Sequence, residues 1–112
     1  MDEQTEIGEL ASRALDLAGL VSYQGGAVVS RTLVKKEQGT VTLFAFDAGE
    51  GLSEHTAPYD ALVHVLEGQA DITISGKRIR AHAGQLVIMP AHEPHALQAP
   101  ERFKMMLVMV RA

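Results

Sequence analysis

"GEGLSEHTAPYDALVHVLEG", residues 49–68, is the stretch whose reading decides the fold. A histidine, a proline turn, a carboxylate and an apolar run lead to a closing glycine. Within the run, Ala61, Val63 and Val65 fall on one face of an extended strand and His64 on the other, because strand side chains alternate. A second stretch, "GQLVIMPAHEPHALQA" at 84–99, is built on similar lines. Gly84 opens a turn, and Pro90 and Pro94 stop strand pairing on either side of His92. Both stretches read as hairpins that carry histidines at their ends.

Outward from these, the chain keeps a β texture. In "QADITISGKRIRAH", residues 69–82, Ala70, Ile72 and Ile74 alternate with Asp71, Thr73 and Ser75, and Ser75-Gly76-Lys77 marks a tight hairpin turn. "AVVSRTLV" and "TVTLFAFDAGEG" precede the first motif. In the latter, Val41, Leu43 and Ala45 alternate with Thr42, Phe44 and Phe46, so both faces are apolar and the strand is expected to be covered on two sides. The closing "RFKMMLVMVR" sets Phe103, Met105, Leu107 and Met109 against Met106, Val108 and Val110, which predicts burial between sheets or at a subunit interface. Many short strands joined by glycine-rich turns imply an all-β barrel or sandwich. Residues 5–20, "TEIGELASRALDLAGL", read instead as a helix. Ile7, Leu10, Ala14, Leu15 and Leu17 form its apolar stripe, Thr5 caps its start and Gly19 its end. The expected organisation is an N-terminal helical arm over 1–24 and one β-barrel domain over 25–112.

Composition narrows the function classes. The chain has 112 residues, 46% of them hydrophobic, which suits one domain with its own core. It has no cysteine, which removes disulfides, cysteine-bound zinc, iron–sulfur clusters and cysteine nucleophiles. Ten basic against fourteen acidic residues give a net charge of −4. That balance and the absence of a Lys/Arg run argue against nucleic acid as a partner. No apolar segment is as long as a membrane span, and "MDEQTEIGEL" is too acidic for a signal peptide. A soluble cytoplasmic protein is expected. There is no G-x-S-x-G elbow and no phosphate loop, and "QGG" at 24–26 is followed by a strand where a dinucleotide site needs a helix.

The paired motifs resemble those of the cupin superfamily, small jelly-roll β-barrels that often hold one metal ion. The first family motif runs G, five residues, H-x-H, three or four residues, E, six residues, G; here Gly49, His55 and Gly68 take the matching places. In the second, G, five residues, P-x-G, two residues, H, three residues, N, the matches are Gly84, Pro90 and His95. The resemblance implies an all-β single-domain jelly roll with a short N-terminal helix. It implies four metal ligands as well, and only two survive. Ala57 stands at the second histidine and Ala61 at the glutamate, while His92 replaces the second motif's glycine and Ala99 its asparagine.

Asp60, one residue before the glutamate position, is the nearest substitute ligand. A one-residue shift on a regular strand points a side chain to the opposite face, but the turn at Pro58 and Tyr59 could redirect it. The other reading of Asp60 is a turn-holding Asx bond. His92, in its proline-bounded turn, is a further candidate ligand. His64 lies about 13 Å along the strand from Asp60 and should face outward, and His82 reads as surface. The candidate metal set is therefore His55, His95 and Asp60, with His92 in reserve. The candidate ligand pocket is His55, His95, Val63 and Met89, with Met105 nearby. Two histidines and a carboxylate would suit non-haem iron or zinc. The cofactor stays open, with one divalent ion (iron, zinc, manganese or nickel) as the candidate. Each ligating imidazole would need a partner on its other nitrogen, with Glu50 and Glu54 near in sequence.

Three functions fit. The first is a small-molecule-binding barrel with a weak metal site or none, favoured by the alanines at 57 and 61. The second is a metal-dependent enzyme, dioxygenase- or isomerase-like, which needs Asp60 or His92 to turn inward. The third is a structural scaffold. A homodimer, suggested by the two-sided C-terminal strand and by the family resemblance, is compatible with all three.

Overall fold

The computed structural model describes residues 7–112. Its nine strands are β1 (Val28–Lys36), β2 (Gly39–Phe46), β3 (Gly51–His55), β4 (Tyr59–Glu67), β5 (Gln69–Ile74), β6 (Lys77–His82), β7 (Leu86–Met89), β8 (His95–Gln98) and β9 (Phe103–Arg111). They form a five-stranded sheet in the order β1-β2-β9-β4-β7 and a four-stranded sheet in the order β3-β8-β5-β6. Every pairing is antiparallel. This is the jelly roll expected from the motifs. The tight turn between β5 and β6 carries positive φ at Ser75 and Gly76, 47° and 83°, the two-residue geometry whose twist matches that of the strands it joins.

Side-chain alternation places the core. On β4, Ala61, Val63 and Val65 are buried and face the second sheet. They meet Ala70 and Ile72 of β5, Leu97 of β8, and Phe103 and Met105 of β9. Phe46 and Phe103 are fully buried and stack with ring centroids 4.4 Å apart. Burying such side chains contributes about 1.5–3 kcal/mol each.

The opposite face of the five-stranded sheet carries a second apolar cluster, and here the helix expected over 5–20 is corrected. Thr5, its proposed cap, lies outside the described residues. Among the described residues only Ile7–Leu10 is α-helical (α1), and Leu17–Leu20 forms a separate 3₁₀ turn that contains Gly19 within it. Ser12 breaks the helix with a φ of 65°. Gly8, Ser12, Asp16 and Gly19 are poor helix formers, and burial decides the rest. Leu10, Leu15, Leu17 and Leu20 pack with Leu33, Leu43 and Ala45 on the outer face of β1 and β2. A bent path lays more of those leucines on the sheet than one straight helix does.

Polar contacts pin this arm down. Lys104 Nζ donates to the Ala18 carbonyl at 2.7 Å, Arg31 Nη1 to the Leu20 carbonyl at 3.1 Å, and the Tyr23 hydroxyl to Glu67 at 2.6 Å. Burial first, and the hydrogen bond to Glu67 second, push the Tyr23 phenol well above its ordinary pKa. At the next junction Asp47 accepts from the Gly26 amide (2.7 Å), the Ala48 amide (2.9 Å) and Arg102 Nε (2.8 Å). The Gly26 amide and then the Arg102 guanidinium hold its carboxyl at about 2. Among the described residues no helix is long and apolar enough to cross a membrane.

Candidate functional site

One end of the barrel brings both motifs together. β3 and β8 pair through Leu52 opposite Leu97 and His55 opposite His95, with a register shift between them. Three residues on β3 span what two span on β8, so β3 carries one extra residue at Ser53-Glu54. Such a bulge turns the strand locally. On a regular strand Leu52 and His55 would face opposite ways; the extra residue puts both on the cavity wall, while Ser53 and Glu54 are exposed. The two imidazoles meet edge to face with centroids 4.4 Å apart. His95 is buried at 5% exposure and His55 is exposed at the rim.

Their hydrogen bonds orient them alike. His55 Nδ1 lies 2.9 Å from the Ser53 carbonyl, and His95 Nδ1 lies 3.1 Å from the Glu93 carbonyl, each two residues back along the chain. A carbonyl only accepts, so in both bonds Nδ1 carries a proton, which in the neutral ring leaves the lone pair on Nε2. The partners sought in Glu50 and Glu54 are thus backbone oxygens.

The cavity beside the pair has a volume of about 40 Å³. His55, Ala57, Ala61 and His95 line it with Met89, Met105 and Met109, and leucines complete the wall. Ala57 and Ala61 therefore face the cavity from the positions where the sequence pattern expected ligands, and both offer only a methyl. Of the sequence-derived pocket, His55, His95 and Met89 are brought together. Val63 is not on the wall: it is fully buried on β4, two residues past Ala61, in the packed core.

The substitute ligands are held elsewhere. Asp60 is exposed, opposite in parity to Ala61, and its Oδ1 accepts the Ala91 amide at 2.9 Å. The carboxylate does stabilise a turn, but one 31 residues away and not its own corner. His92 is exposed in a left-handed conformation, φ 70°, and its amide donates to the Ala57 carbonyl at 2.9 Å. Asp60 and His92 thus lace the two motif loops together. His64 is half-buried on the outer face beside Leu86 and Met106, and His82 is exposed. Among the described residues no three His, Cys, Asp or Glu side chains gather where they could hold a metal ion. A site of three imidazoles and one carboxylate, which the motifs imply, does not fit the residues present. The wall methionine that the sequence-derived pocket left out is Met109, whose inward parity on β9 was visible in the sequence.

Comparison with known proteins agrees with this architecture. The family described as "Cupin domain" matches residues 42–111. A conserved protein of unknown function from Streptococcus pyogenes is 40% identical, over 90% of this chain and 89% of its own, with a TM-score of 0.87. A cupin superfamily protein from Desulfitobacterium hafniense is 32% identical over 89% and 92% of the two chains, with a TM-score of 0.85. A cupin 2 conserved barrel domain protein from Leptotrichia buccalis is 41% identical over 87% of this chain and 47% of that longer one, with a TM-score of 0.84. No curated protein matches.

Proposed function

The chain belongs to the cupin superfamily, and we propose that its barrel mouth binds a compact ligand, with His55 and His95 as the polar end of the site. The carrying observation is the pair of Nε2 lone pairs at the rim of an otherwise apolar cavity. Ligand sites generally combine apolar walls with a few converging polar groups. The cavity's roughly 40 Å³ restricts what enters to a few atoms, far below the roughly 300–1,000 Å³ of sites for drug-sized molecules. Neutral imidazoles with free lone pairs favour a donor, such as an enol hydroxyl or a heterocyclic N–H. The metalloenzyme alternative needs a third ligand, but the Asp60 carboxylate is held by the Ala91 amide, and the His92 side chain is exposed and absent from the cavity wall.

The test uses the full chain with ¹³C-labelled methionine methyls. Compact N–H heterocycles and enols should shift the Met89 and Met109 methyl resonances and leave Met106, on the outer face, in place. The same probes should lose their effect in His55→Ala. Methyls that ignore every probe would sink the proposal.

We also infer a homodimer that pairs through the outer face of the five-stranded sheet. Ile88, Leu62, Val108, Val41 and Val34 form one apolar row across all five strands. The N-terminal arm packs over the Val34 and Val41 end. At the other end Ile88 is 59% exposed, beside Leu86 at 52%. Light scattering should give a dimer mass for the wild type and a monomer for Ile88→Lys; a monomeric wild type would refute the assignment.

A further inference from the structure

The cavity's three methionines are the feature that the proposed ligand site does not use. Ala61, at the place of the missing carboxylate, has Met89 of β7 opposite it on one side and Met109 of β9 on the other. Directly opposed residues on an antiparallel pair have Cβ atoms about 4.5–5.5 Å apart. The flexible three-bond stem of methionine can carry its thioether over that span. Both methionines line the same cavity as His55 and His95, and Met105 lies deeper on that wall. The alanine methyl that removes a hard oxygen donor therefore opens space between two soft sulfur donors.

We propose that His55 and His95, through Nε2, and Met89 and Met109, through their thioethers, form a copper(I) site at the barrel mouth. The assignment rests on the reading above that this mouth is the binding site, and it adds a metal ion to what the two nitrogens can take there. Three physical arguments select the ion. Thioether and imidazole together suit copper(I), whereas carboxylate-rich sets suit harder ions. All four donors are neutral, and the walls are apolar. The cost of bringing an ion into such a medium rises with the square of its charge, so a monovalent ion is far cheaper to hold there than a divalent one. The cavity is also small, about 40 Å³ where about 10–15 Å³ already admits one water, so a bare ion with its donors fits it. The Ser53 and Glu93 carbonyls already fix each ring with Nε2 free, as metal-ligating histidines require.

The experiment is an anaerobic titration of untagged full chain with copper(I) against a chromogenic copper(I) chelator. Met89→Leu/Met109→Leu and His55→Ala/His95→Ala are run beside it. Methionine-to-leucine is nearly volume-conserving and should cost less than about 1.5 kcal/mol per site, so the methionine variant should fold. The expected result is one copper(I) per chain, bound at least tenfold more weakly by the methionine variant and not at all by the histidine variant. X-ray absorption of the wild-type complex should show sulfur scatterers that the methionine variant lacks. Equal affinity in wild type and methionine variant would overturn the proposal and leave the thioethers as packing. So would a wild type that takes up no copper(I). If copper(I) fails while the methyl resonances still answer the organic probes, only the copper assignment falls. If neither binds, the barrel-mouth reading falls with it.

Discussion

Gly68 and Gly84 both carry positive φ, 76° and 91°, and both occupy motif glycine positions. They differ in what surrounds them. A Cβ at Gly84 would meet nothing within 4 Å; a Cβ at Gly68 would collide with the Arg102 carbonyl oxygen and lie 2.9 Å from both Cα and Cβ of Phe103. Alanine at either place takes on the left-handed penalty of about 1–2 kcal/mol, offset by about 0.4–1 kcal/mol because the unfolded chain loses freedom. Gly84→Ala should therefore cost about 1 kcal/mol. At Gly68 the neighbours are backbone and a fully buried ring stacked on Phe46, so nothing yields cheaply. Overpacking of that kind adds about 1–3 kcal/mol, which brings Gly68→Ala to about 2–4 kcal/mol. A small domain has about 5–15 kcal/mol in total, so the variant should still fold. Urea unfolding separates the two. With a slope near 2 kcal/mol/M, the Gly68→Ala midpoint should fall about 1 M further than that of Gly84→Ala. Equal midpoint shifts would refute the steric argument and reduce both glycines to their φ alone.

Asp47 gives a pH prediction with a definite sign. Its folded pKa is lowered from 3.8 to about 2, so its contribution is complete above the unfolded value and disappears as pH falls through the folded one. The stability gap between wild type and Asp47→Asn, followed by thermal melts, should be flat above about pH 5 and close between pH 3.8 and 2. A gap unchanged down to pH 2 would remove the Gly26 and Arg102 contacts as its cause. Asp60→Ala should cost about 1 kcal/mol for the lost bond to the Ala91 amide, while leaving ligand affinity at the His55–His95 pair within about twofold. Loss of binding with intact folding would show that Asp60 acts on the site itself.

The β texture was legible because period-two alternation survives any tertiary context. Ala61, Val63 and Val65 must face one way, and the glycines and prolines sit at turns that need them. Parity alone would have placed Asp60 outward, but the turn at Pro58 and Tyr59 left an inward Asp60 open, and its partner, the Ala91 amide across the mouth, was hidden, since non-local backbone contacts leave no trace in a motif. The helix expected over 5–20 was misread for the opposite reason. Its leucine spacing suits a helix, but Ser12 and two glycines weaken it, and the outer sheet rewards a bent path that local propensity does not encode. The bulge at Ser53-Glu54 was equally invisible, although it puts His55 beside His95.

The methionines teach the sharper lesson. Comparing columns against a family motif asks only whether a histidine or glutamate is present, and at Ala57 and Ala61 the answer is no. Register asks what stands beside an empty column. Beside Ala61 stand Met89, on β7 within the second motif but at none of its defining positions, and Met109, on β9 outside both motifs. On the proposed reading, donors on the neighbouring strands take over beside a motif position that has itself been reduced to alanine. In an antiparallel sheet the neighbours of a lost ligand lie about 5 Å to either side on the same face, so they are the first places to look for its replacement.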